Sequence, residues 1–75
     1  MKFTKELDAS GLTCPLHIIR TKKALSGMAS GQVLRVVSTD PGSQHDMTRL
    51  AAQSGDTLLK QHSENSKFIF YLRKA

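Results

Sequence analysis

Among its 75 residues the chain has one cysteine, no tryptophan, one tyrosine, three phenylalanines and two prolines. A lone cysteine excludes an internal disulfide, and a zinc framework needs more cysteines than this. Cys14, His17, His45 and His62 are the only soft or borderline metal ligands, and no pair has a recognised zinc spacing. The sequence therefore assigns no metal and no cofactor. Scarce aromatics argue against a base-stacking platform, and no glycine-rich phosphate loop is present. No apolar run approaches the ~18 residues of a membrane span, and Met1 to Glu6 has no apolar signal-peptide region. A single free thiol fits a reducing compartment, so a soluble cytoplasmic monomer is expected.

What the chain does have is positive charge, unevenly placed. Eleven basic residues against six acidic give a net charge of +5. Residues 1–37 hold six basic and two acidic side chains, and residues 38–75 hold five and four. A basic half suits an acidic partner, protein or nucleic acid, or serves only solubility.

Local patterns divide the chain into six pieces. Phe3 to Leu7 alternates like a short strand, and Asp8-Ala9-Ser10-Gly11 is turn chemistry. Cys14-Pro15 opens a helix, proline being favoured at the first helical position. Ile18 and Leu25 align on its core face, with Ile19 and Met28 at the flanks, and Gly27 or Gly31 ends it. Leu16 falls near the helix start, where it is expected to be partly exposed. Gln32 to Ser38 is rich in β-branched residues and reads as a buried strand. Asp40 or Ser43 can cap a second helix carrying Met47, Leu50, Ala51 and Ser54 on one face. His45, Asp46, Arg49 and Gln53 fall on its wet side, and Gly55 suits its end. Thr57 to His62 is a possible strand, Ser63 to Ser66 a turn, and Lys67 to Arg73 a clear strand. The order βαβαββ predicts one α+β domain over residues 1–75: a two-layer sandwich with two helices on one face of a mixed four-stranded sheet.

Cys14 is the candidate for chemistry. A thiol at a helix N-terminus meets free N–H groups and a positive dipole end, which favour the reactive thiolate. The opposing reading is a buried, inert cysteine. Pro15 limits how the thiol is presented. His17, three residues on, could meet Cys14 across the first turn and share its proton, or be a surface histidine with no role. Leu16, Arg20 and Lys23 share a helix face and are candidate partner contacts, or only a solvated face. Arg35 or the Lys2–Lys5 arm could also reach the thiol.

Leu7-Asp8-Ala9-Ser10-Gly11-Leu12-Thr13-Cys14-Pro15-Leu16 resembles the signature of the TusA-like (SirA-like) sulfur-carrier family: Leu-Asp, Gly-Leu, then Cys-Pro-x-Pro at the first helix. Thr39 to Ser43, with Asp46 behind it, resembles the family's second recurring segment. The resemblance covers the whole chain. It implies a sulfurtransferase that accepts a sulfane sulfur as a persulfide on Cys14 and passes it to an acceptor protein. The implied donor is a cysteine desulfurase or a rhodanese-type protein. The implied destinations are 2-thiolation of the tRNA wobble uridine, or sulfur-compound metabolism. Pro15 takes the place of the first motif proline. The second falls at His17. Two other classes remain open: a non-catalytic basic module that contacts RNA or a regulatory protein, and a redox sensor working through a mixed disulfide of Cys14.

Overall fold

Alternation and helical periodicity in the sequence place six elements, and a computed structural model, which describes residues 2–13 and 15–75, sets their bounds. They are β1 (Lys5–Ala9), α1 (Leu16–Ser26), β2 (Val33–Ser38), α2 (Ser43–Ser54), β3 (Thr57–Glu64) and β4 (Lys67–Arg73). The sheet order is β1-β2-β4-β3. β1 runs parallel to β2, while β4 is antiparallel to both β2 and β3. The expected α+β sandwich is the architecture observed, with both helices on one face of a mixed sheet.

The core lies between the layers. Leu34 and Val36 of β2 meet Phe70 and Leu72 of β4, and Ala24, Leu25, Met47, Leu50 and Ala51 close over them from the helices. Burying each of the valine, leucine, methionine and phenylalanine side chains stabilises by about 1.5–3 kcal/mol relative to exposure. The opposite sheet face carries Ile69 and Tyr71, both buried. Phe3 covers part of that face, with its ring centroid 6.4 Å from that of Tyr71.

Several boundaries differ from the sequence reading. β1 begins two residues later than expected. Phe3 therefore escapes the strand's alternation and lies over the open face instead of joining Leu7 in the core. β3 runs on to Glu64, and the hairpin turns at Asn65 and Ser66, whose φ values are 50° and 64°. Pro15 precedes the first helical residue, and its carbonyl accepts the N–H of Ile19 at 3.0 Å. Gly27, the nearer of the two candidates, ends α1. Neither Asp40 nor Ser43 caps α2. Gly42 holds that position, and the Asp40 carboxylate accepts the Gly42 N–H at 3.2 Å just ahead of it. Gly55 ends α2 in the left-handed region, φ 81°, which a residue without Cβ adopts at no steric cost.

The core face of α1 also differs. His17, Thr21, Ala24 and Leu25 are its buried residues. Ile18 is only half-buried against the core, and Ile19 is 54% exposed. Hydrophobic periodicity alone chose the isoleucines. Internal hydrogen bonds offset part of the cost of placing polar residues there: Thr21 donates its hydroxyl to the His17 carbonyl at 2.7 Å.

Candidate functional site

Three segments meet at the start of α1. The first turn of the helix supplies His17, the turn after β2 supplies Asp40, and the first turn of α2 supplies Asp46. His17 is fully buried, and the two aspartate side chains are 17% and 20% exposed. The expectation of a surface histidine is thus overturned. Asp46, expected on the wet side of α2, is half-buried because it turns toward the His17 ring.

The contacts define the ring's chemistry. His17 Nε2 lies 3.0 Å from Asp46 Oδ2. An ionised carboxylate only accepts, so Nε2 carries the proton and donates. His17 Nδ1 lies 3.6 Å from Asp40 Oδ2 and has no hydrogen-bond partner among the described residues. The ring therefore ties the start of α1 to α2 and to the turn at Asp40. Both of its nitrogens face acids among the described residues. Cys14 itself lies outside the described residues.

Two surfaces flank this point. Pro15, Ile18, Asp46, Arg49, Leu50 and Gln53 line a shallow pocket of about 190 Å³ between the two helices. On the other side of α1, Lys5, Leu7, Ile19, Arg20, Lys23 and Ala24 line an open groove against β1. Leu16, Arg20 and Lys23 are all exposed on α1, and Leu16 is 50% exposed as its place near the helix start suggested. Ile19 stands beside them as a further exposed apolar residue. Sequence reasoning missed it because it assigned Ile19 to the flank of the core.

Arg35 is not near this region. It sits on the open sheet face, where it donates from Nε to the Tyr71 hydroxyl at 3.2 Å and from Nη1 to Glu6. The guanidinium also lies over the rings of Phe3 and Tyr71, 5.9 and 6.0 Å from their centroids. The Tyr71 hydroxyl first, and then the Glu6 carboxylate, hold Arg35 above the ordinary guanidinium pKa. His45 is exposed on α2, and His62 lies on β3, 3.7 Å from Glu64 of the same strand. Among the described residues no helix is long and apolar enough to cross a membrane.

Known proteins match the chain along nearly its whole length. The family model described as Sulfurtransferase TusA matches residues 5–74. The sulfur carrier protein TusA of Allochromatium vinosum is 52% identical over 73 residues, covering 97% of this chain and 96% of that one. The sulfur carrier protein TusA of Pseudomonas entomophila is 35% identical over 68 residues, covering 91% of this chain and 85% of its own. The crystal structure of a SirA-like protein from Desulfitobacterium hafniense superposes with a TM-score of 0.83 at 25% identity. That likeness covers 93% of this chain and 96% of the other. The sandwich topology, the motif ahead of α1 and these matches agree: the chain belongs to the TusA sulfurtransferase family.

Proposed function

We propose that this sulfur carrier holds its cargo as a persulfide on Cys14 and acts as a sulfurtransferase between two partner proteins. The observation that supports the reading is the family match over residues 5–74, a stretch that includes the chain's lone cysteine, two residues before the first residue of α1 in the sequence. Cys14 precedes Pro15, and the helix that follows presents its positive dipole end to that side of the chain. Such a setting lowers a thiol's pKa and raises its thiolate fraction.

The step is a thiol exchange. The Cys14 thiolate attacks the outer sulfur of a donor persulfide. The donor's S–S bond breaks, and the donor leaves as a thiolate. Cys14 then carries the persulfide. An acceptor thiolate attacks its outer sulfur and restores the Cys14 thiolate. The chain has no second cysteine to resolve the persulfide, so turnover needs both partners. A cysteine desulfurase or a rhodanese-type protein fits the donor role. The acceptor serves tRNA 2-thiouridine synthesis or sulfur-compound metabolism in the cytoplasm.

Leu16, Arg20 and Lys23 form the docking face in this reading, with Ile19 added by its exposure. Support comes from their common exposed side of α1 and from their mixture of apolar and cationic groups. Arg20→Glu with Lys23→Glu should slow loading from an acidic protein donor at least about tenfold, and leave loading from a small persulfide unchanged. His17 acts as a positioning residue that fixes the first turn of α1.

The test is transfer of a labelled sulfane sulfur. Wild-type protein loaded from a desulfurase should surrender the label to an acceptor thiol, and Cys14→Ala should never take it up. Tight, salt-dependent tRNA binding that survives Cys14→Ala, with no sulfur uptake by the wild type, would support a binding module instead. Peroxide-driven mixed disulfides without any donor would support a redox sensor.

A further inference from the structure

We propose that His17 Nδ1 and the Asp40 carboxylate form a binding site for a divalent borderline cation of the zinc type, with Asp46 holding the ring from the other side. His17, Asp40 and Asp46 each offer a ligand atom, all within 4.8 Å of one another. The histidine is fully buried, and its Nδ1 is aimed into the group without a hydrogen-bond partner among the described residues.

The tautomer argument makes this specific. Nε2 donates to Asp46, so in the neutral ring Nδ1 carries a lone pair. That lone pair faces Asp40 Oδ2, another acceptor, at 3.6 Å. A fully buried nitrogen lone pair with no donor among the described residues is costly, and the ionised carboxylate oxygen it faces cannot supply one. A second ring proton is one candidate. It would draw the carboxylate in to about 2.7–2.9 Å, the length of a charged hydrogen bond. The observed separation is too long for that bond.

A metal ion fits the gap better. Zinc holds imidazole nitrogen and carboxylate oxygen at about 2.0–2.2 Å in tetrahedral geometry, which sets the two donors about 3.4 Å apart. The pair needs to move by only a few tenths of an ångström. A metal-bound histidine also usually donates its other N–H to a carboxylate, as Nε2 does here to Asp46. Asp40 is braced as well, because it accepts the Gly42 N–H. Remaining coordination positions would fall to water. Bound there, the cation would add positive charge to the first turn of α1, three residues along the chain from Cys14.

The experiment uses full-length protein carrying Cys14→Ser, which removes adventitious zinc binding by the thiol. Zinc chloride is titrated by calorimetry, and long-range 1H–15N spectra follow the three imidazoles. One-to-one saturable binding is expected, with the His17 Nδ1 resonance shifted and those of His45 and His62 unmoved. His17→Gln and Asp40→Asn should each weaken binding at least about tenfold, and Asp46→Asn by about 10- to 100-fold. Should His17→Gln not fold, Asp40→Asn, on a turn, carries the comparison. The proposal is overturned if zinc does not saturate, or if Asp40→Asn binds as tightly as its parent. It is equally overturned if His17 is doubly protonated at neutral pH and unmoved by zinc, since the gap would then hold a proton.

Discussion

The two faces of the sheet each enclose a polar group, and they treat it differently. On the open face Arg35 is satisfied by Tyr71 and Glu6 and covered by Phe3. Under the helices His17 is buried more deeply, yet only one of its ring nitrogens is hydrogen-bonded among the described residues. A satisfied cluster on a sheet surface reads as structure. A buried cluster that draws acids from two other segments and leaves a nitrogen aimed at one of them reads as a site. It stands at the helix start that follows the motif cysteine.

Stability measurements can break that comparison. His17→Ala has the largest expected effect. It opens a cavity in a fully buried position and leaves Asp46 without its partner, so urea unfolding should show a loss of about 2–4 kcal/mol. Partial exposure of both acids to water keeps the cost from running higher. A loss under about 1 kcal/mol would mean that the cluster is no more integral than a surface pair. Tyr71→Phe removes a single hydroxyl partner of Arg35 and should cost about 1 kcal/mol by the same assay. Glu6→Gln should cost least, under about 1 kcal/mol, with the difference from wild type shrinking in high salt because the pair is exposed. If Glu6→Gln proved costlier than His17→Ala, the ranking of the two faces would be reversed.

Much of the fold could be read from the residues. Phe68, Phe70 and Leu72 alternate with Ile69 and Tyr71 and give β4 its bounds, and Met47, Leu50 and Ala51 place the inner face of α2. These patterns are local and depend only on strand and helix periods. The cluster at His17 was not legible. Asp40 and Asp46 reach the ring only after β2 has paired beside β1 and turned into α2, which no short-range spacing encodes. Hydrophobic ranking also misplaced Ile19, because it had no means of seeing that the Thr21 hydroxyl donates to the His17 carbonyl and that the His17 ring bonds Asp46, which lets both residues enter the core face. The motif at Cys14-Pro15 was legible as a family resemblance, and the family model matches the stretch that contains it.

The central claim is that sulfur travels on Cys14, and intact mass spectrometry tests it most directly. The protein is incubated with a cysteine desulfurase and cysteine and weighed without reduction. Wild type should gain the mass of one sulfur atom, about 32 Da, that a reductant removes, while Cys14→Ala gains nothing. Equal gain by both proteins, or none by the wild type, would contradict the account.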